Sequence, residues 1–255
     1  MISTDRKIFE RGSAVRARQA AYADGYDEVH ILVFAGREFG EQAISGNCWA
    51  YPTRSAFKFA YPFDAARLGR FIVKRRGITD ITCQDASLTA MAGLSLKRRF
   101  GLPLEIQVHE DIGAGHYAFS AANKIRKALA LSHLPKADKI RVVSDKIKDY
   151  LVGALGIDAS KIAVRPIEID VGAIKGASIT SDGDLRRKYP QFSKIVLMVS
   201  RFEKEKNLKL AVEAWPLALE KLPGAGLVIV GAGSLESRLK AMAARIFSSN
   251  GGIEP

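Results

Sequence analysis

The segment Val199-Ser200-Arg201-Phe202-Glu203-Lys204-Glu205-Lys206-Asn207 leaves the end of an apolar strand and enters a helical pattern. In open α/β sheets ligands gather at the carboxyl ends of strands, and the amides that open the next helix favour an anion. Arg201 offers a bidentate fork at the strand end and Lys206 a point charge just beyond it, so both can reach one phosphate-like group. The plainer reading is a solvated charged turn, because Glu203, Lys204 and Glu205 are surface-type residues. In the other half, His109 closes an apolar strand and precedes the acidic, glycine-containing run Glu110-Asp111-Ile112-Gly113-Ala114-Gly115. Such an imidazole can meet a substrate or be satisfied within its own loop. Gly12-Ser13 opens the first helix, where backbone amides can approach an anion or where the serine serves only as a cap.

The chain that must position these groups has 255 residues, 47% of them hydrophobic, enough for a sizeable core and one large or two smaller domains. A formal net charge of +12 means that the surface attracts polyanions: nucleic acid, anionic lipid head groups or a diphosphate-bearing substrate. Charge alone does not choose among them. Cys48 and Cys83 lack metal or redox spacing and read as buried thiols in a reducing compartment. Asp5, Arg6 and Lys7 interrupt the amino terminus before an apolar run can form, and no stretch is long enough to span a bilayer. The expected location is the cytoplasm, with a peripheral position at the inner face of the membrane left open.

Apolar runs rich in Val and Ile recur at Val29 to Phe34, Ile78 to Cys83, Leu104 to Val108, Ile140 to Val143 and Ile162 to Val164, each reading as a buried parallel strand. Helical spacing fills Ala14 to Tyr22, Ala65 to Val73, Leu88 to Phe100, Ile125 to Leu134 and Lys146 to Leu155. The alternation predicts a doubly wound sheet. Gly77 and Gly101 follow Lys74-Arg75-Arg76 and Lys97-Arg98-Arg99, where cations suit a helix end. Gly46 to Thr53 is expected to hold a short strand or edge segment after a loop. Periodicity disappears between Pro166 and Gly183. A strand from Ile195 to Ser200, a helix from Leu208 to Leu222, a strand from Leu227 to Val230 and a helix from Leu235 to Ile246 follow. These predict an acceptor-side domain over 1–170, a linker over 171–190 and a partial second domain over 191–255. Two strands fall short of the roughly five or six of a typical sheet.

The segment around Arg201 resembles the Gly-Arg-Leu-x-x-Glu-Lys-Gly pattern of the retaining glycosyltransferases of family 4, which have the GT-B fold. Leu227-Val228-Ile229-Val230-Gly231-Ala232-Gly233, followed by Ser234, Glu236 and Leu239, is similar to the next strand and helix of that family's donor domain. Gln107-Val108-His109-Glu110 resembles the strand end that bears its active-site histidine, and Lys139 to Ser144 the strand and turn before its domain crossover. The resemblance implies two Rossmann-like doubly wound domains, the second incomplete. It implies that Arg201 and Lys206 bind the donor diphosphate and stabilise the charge that grows on it, with Gly12, Ser13, Gly231 and Gly233 also near the donor. By the same resemblance His109 would hydrogen-bond the donor sugar, while Glu110 and Asp111 hold an acceptor hydroxyl or remain solvated loop charges. Three departures stand out. Ser200 and Asn207 replace glycines, and the Asn-Gly turn expected near Ile167-Glu168-Ile169-Asp170 is missing. The paired glutamates that grip donor sugar and ribose in such enzymes would lie beyond Pro255, so this chain alone is expected to lack full activity.

The function read from the sequence is transfer of a sugar from a nucleoside diphosphate donor to a hydroxyl of a glycan or lipid-linked acceptor, with retention, in envelope polysaccharide or glycolipid synthesis. No metal and no cofactor beyond the nucleotide sugar are expected, and no nucleic acid partner. Basic helices at Lys74-Arg75-Arg76, Lys97-Arg98-Arg99 and Lys124 to Lys127 read as solvated faces or as a surface for anionic membrane. The rivals are a nucleotide-sugar epimerase of the same architecture and a non-catalytic basic module that binds polyanions or membranes.

Overall fold

The computed structural model describes residues 1–118, 120–167, 169, 171–178 and 183–247. Glu168 and Asp170, quoted above for the crossover turn, lie outside the described residues. The chain forms two units, Met1–Glu168 and Ile169–Pro255.

The first unit runs β1 (Ile2–Ser3), α1 (Ala14–Ala23), β2 (Val29–Val33), β3 (Gln42–Ser45), β4 (Cys48–Pro52), α2 (Tyr61–Arg76) and β5 (Ile81–Cys83). It continues with α3 (Leu88–Phe100), β6 (Leu104–Val108), α4 (Ala121–His133), β7 (Lys139–Val142), α5 (Asp145–Leu155) and β8 (Ile162–Val164). The strands form one sheet in the order β3-β4-β2-β1-β5-β6-β7-β8, parallel throughout except for β3. After β4 the chain crosses back past β2 and β1 to place β5, so the winding reverses between β1 and β5. In such sheets ligands bind at the carboxyl ends of the strands where the winding reverses. There the Ser3 hydroxyl donates to Gln84 Oε1 at 2.5 Å.

The core explains the apolar runs. Ile2, Leu104, Ile106, Ile140 and Val142 are almost entirely buried between neighbouring strands and the helices over them. The paired registers Ile106↔Ile140 and Ile140↔Ile162 stack these branched side chains in rows across the sheet. Gly77 and Gly101 take the left-handed conformation, φ 57° and 69°, that closes α2 and α3 after their basic last turns. Both cysteines are free and buried.

Two first-unit elements differ from expectation. β4 is the short strand expected within Gly46 to Thr53 and pairs parallel with β2, but β3 adds an unexpected antiparallel edge strand beyond it. β3 reads Gln-Ala-Ile-Ser, too short and mixed for a periodic signal. α2 begins at Tyr61, earlier than Ala65, because Pro62 sits in its first turn, where a missing N–H costs no helical bond.

The second unit contains α6 (Val171–Gly176), α7 (Leu185–Lys188), β9 (Lys194–Val199), α8 (Leu208–Lys221), β10 (Ala225–Val230) and α9 (Glu236–Phe247). The stretch expected as a linker thus contains two short helices. β9 and β10 pair in parallel from Lys194↔Ala225 to Val199↔Val230. Phe202, Leu208, Val212 and Leu239 form the core beneath them. Val196, Leu197, Val199 and Val230 remain exposed. Among the described residues no helix is long and apolar enough to cross a membrane.

Candidate functional site

In the second unit Arg201 leaves the carboxyl end of β9, and a single 3-10 turn, Lys204–Lys206, leads into α8. Arg201 and Lys206 are both exposed. Asn207 takes the left-handed conformation, φ 49°, between that turn and α8. Asparagine is one of the few residues other than glycine that enters this region readily, so the turn keeps the backbone path a glycine would give. The Arg201 guanidinium donates to Glu205 Oε1 at 3.0 Å, an exposed pair that is easily exchanged for a ligand.

The next loop, Gly231 to Ser234, closes against this turn. A Cβ at Gly231 would overlap the Ser200 carbonyl, and one at Gly233 would lie 2.6 Å from the Phe202 carbonyl oxygen. The glycines therefore let two backbones touch. Phe202 N–H donates to the Ala232 carbonyl at 2.8 Å, and Leu235 N–H to the Phe202 carbonyl at 2.9 Å. Glu203 completes the join by accepting from both the hydroxyl and the main-chain N–H of Ser234. These bonds, the side-chain one first, hold its carboxyl below the usual glutamate value. The unit thus gathers Arg201, Lys206, Gly231 and Gly233 around the carboxyl ends of two adjacent strands and the start of two helices. Glu203 reads as solvent-facing in the sequence because Ser234, its partner, is remote along the chain.

In the first unit His109 stands just past β6. Its Nε2 lies 3.2 Å from Gln107 Oε1. The Gln107 amide nitrogen donates to Thr82 Oγ1 at 3.1 Å and to Glu105 Oε1 at 3.2 Å, which fixes its oxygen toward the imidazole. An amide oxygen can only accept, so Nε2 carries the proton and Nδ1 keeps its lone pair. Although the ring is exposed, partial desolvation and, second, the Arg141 charge hold its pKa below the usual value, so it is neutral at pH 7.

Glu110 accepts from the Tyr117 hydroxyl at 3.0 Å, and burial first, then Glu110, pushes that phenol upward. Asp111 receives Lys146 Nζ at 2.8 Å and the Gly113 N–H at 2.9 Å. The loop and the first turn of α5 therefore satisfy both carboxylates, which follow His109 in the chain. Gly12 takes φ 75°, with open space where a side chain would be. Ser13 caps α1: its hydroxyl accepts from Arg16 N–H at 3.2 Å and donates to the Lys7 carbonyl at 2.6 Å.

At the carboxyl ends of β2 and β4 a recess of about 480 Å³ is lined by Arg37, Glu38, Ser55, Phe57, Lys58 and Tyr61. Arg6 braces it, donating to the Phe34 carbonyl at 2.9 Å and to the Tyr61 hydroxyl at 2.6 Å. No periodic pattern flags Arg6, and only the fold brings it to Tyr61. A larger recess, about 1050 Å³, opens at the amino ends of the strands between Asp24, Glu28, Arg76 and Asp138 and holds none of the expected site residues. Among the described residues no three His, Cys, Asp or Glu side chains group closely enough to hold a metal ion.

Residues 12–168 match the family of glycosyl transferase 4-like domains. The chain belongs to that family. Residues 184–250 match the family of group 1 glycosyl transferases, so both units carry glycosyltransferase domains. No curated protein matches the chain in sequence. Among solved structures it is similar to Anabaena HepE in complex with UDP and glucose, at 14% identity and a TM-score of 0.65, over 98% of this chain and 67% of that one. A glycosyltransferase from Rickettsia africae matches at 18% identity and a TM-score of 0.60, over 98% of this chain and 65% of that one. The UDP-GlcNAc 2-epimerase of Neisseria meningitidis, bound to UDP-GlcNAc, matches at 11% identity and a TM-score of 0.57, over 100% of this chain and 71% of that one. At such identities the likeness establishes the fold: a GT-B-type α/β architecture. The chain spans about two thirds of the length of the solved structures it matches.

Proposed function

We propose that this glycosyltransferase-family chain binds a nucleoside diphosphate sugar through Arg201 and Lys206, and that the whole enzyme transfers the sugar to a hydroxyl with retention of configuration. The observation that carries the reading is the turn itself: two exposed cations at the carboxyl end of β9, immediately before the amino terminus of α8, with Asn207 holding the backbone open. As the bond between the anomeric carbon and the phosphate oxygen breaks, charge grows on the diphosphate. Preorganised cations stabilise it, and each such group is typically worth about 10²- to 10³-fold in rate. In this reading the two side chains do the work of a divalent cation, and chelation should leave turnover of the full-length enzyme intact.

His109 is assigned to the sugar. With its proton committed to Gln107, its free Nδ1 accepts from a donor-sugar hydroxyl. Glu110 and Asp111 are assigned to the acceptor, which also finds room in the recess braced by Arg6. The acceptor class is a glycan or lipid-linked hydroxyl of the cell envelope.

A second reading, epimerisation of the nucleotide sugar, draws support from the likeness to the Neisseria epimerase. A product assay of the full-length enzyme separates the two. Released nucleoside diphosphate together with a new glycoside, seen only with acceptor present, supports transfer; an epimerised sugar without acceptor replaces it with the second reading.

A further inference from the structure

Few side chains other than asparagine and aspartate sit in the left-handed backbone region, yet Arg54, just past β4, takes φ 53°. The residues on both sides hold it there. The Thr53 N–H donates to the Val33 carbonyl at 2.9 Å, and the Ser55 N–H to the Ala35 carbonyl at 3.1 Å. The buried Thr53 hydroxyl donates to the Ala35 carbonyl at 3.0 Å, and accepts from the Ala35 N–H and from the buried Ser55 hydroxyl, both at 3.1 Å. Strain of this kind persists only where the surroundings over-determine it, and it collects at functional sites.

Arg54 itself is exposed, and its neighbour Ser55 lines the recess that also holds Arg37, Lys58 and Tyr61. The Tyr61 oxygen accepts from Arg6, which leaves the phenol its own proton to donate. Among the described residues no carboxylate pairs with Arg37, Arg54 or Lys58. Glu38, the one acid of the lining, folds its carboxyl over Gly36, where an added Cβ would overlap it.

We propose that this rim is a phosphate-binding site of the first unit, with Arg37, Arg54, Lys58 and the Tyr61 hydroxyl as donors, and that its ligand is a phosphate group carried by the acceptor. A phosphate monoester offers three non-bridging oxygens to such a set of forked and point-charge donors. A carboxylate has only two, and a neutral sugar has no charge to offset the cations. The carboxyl ends of parallel strands are where such ligands gather. Assignment to the acceptor rests on the transferase reading; the binding itself does not.

The test is isothermal titration of the full chain with inorganic pyrophosphate, in an Arg201→Ala/Lys206→Ala background that removes the cations assigned to the donor. Pyrophosphate should still bind, and Arg37→Ala, Arg54→Ala and Lys58→Ala should each weaken it by about tenfold. Arg98→Ala/Arg99→Ala, at the carboxyl end of α3, should change it by less than about twofold. Arg54→Gly separates binding from folding: it should raise the thermal midpoint by about 2–4 °C, by relieving the left-handed backbone, and still lose affinity. No binding in this background overturns the inference and leaves the donor assignment standing. Equal losses from the α3 pair and the rim variants also overturn it, as does an Arg54→Gly variant that binds as tightly as its parent. Binding at the rim while the full-length enzyme forms no glycoside keeps the site and overturns the transferase reading.

Discussion

Glu203 accepts two hydrogen bonds from Ser234, one from its hydroxyl at 2.8 Å and one from its main-chain N–H at 3.1 Å. This carboxylate ties the turn after β9 to the loop after β10, and so sets where Arg201 stands relative to Gly231 and Gly233. Removing it in Glu203→Ala should speed amide hydrogen exchange at Ser234 by about fivefold or more, while β9 and β10 keep their protection. Because its pKa is held below the ordinary 4.5, the tether contributes above that value and is lost as pH falls through the lowered one. Exchange in this loop, corrected for intrinsic rates, should therefore rise on acidification below about pH 4.5 in wild type and not in the variant.

The Arg201–Glu205 ion pair competes with any anionic ligand for the guanidinium. Glu205→Gln should strengthen nucleoside diphosphate binding by about two- to fivefold in low salt, and the advantage should shrink in high salt. Isothermal titration at two ionic strengths measures both.

The His109 ring should titrate below 6.5 by NMR. Arg141→Gln should raise the midpoint, because it removes the second cause of the lowering while desolvation, the larger one, remains. The sign for stability follows: the unfolded chain binds the proton first, so stability falls as pH drops through 6.5 and levels off below the folded value.

Two helix glycines should respond oppositely to alanine. A Cβ at Gly93 in α3 would overlap Cys83 Sγ and approach Leu104 Cδ1 at 3.0 Å. Gly93→Ala should lower first-unit stability by about 1–3 kcal/mol, overriding a propensity gain of about 1 kcal/mol. Gly153 in α5 meets nothing within 4 Å, so Gly153→Ala should raise stability by about 0.5–1 kcal/mol. Thermal unfolding of both variants measures the contrast.

The alternation of Val/Ile runs with helical spacing carried the architecture because parallel strands are buried on both faces and read as unbroken apolar stretches. β6 and the position of His109 at its end were legible for that reason. β3 was not, since an edge strand of Gln-Ala-Ile-Ser needs no such run. α6 and α7 were missed because six and four residues are too few to show a period. In the site, Arg201 and Lys206 stood out by type and place. The supporting bonds did not: Gln107 relies on Thr82 and Glu203 on Ser234, partners that only the fold brings close.

The most direct test of the donor assignment is a binding and thermal-shift titration of the chain against UDP, GDP and their sugar conjugates, with Arg201→Ala and Lys206→Ala in parallel. A nucleoside diphosphate should stabilise wild type, and each variant should lose about 10- to 100-fold in affinity, the worth of a charge-assisted hydrogen bond. Binding that is unchanged in both variants, or the absence of any response to the nucleotides, would contradict the account.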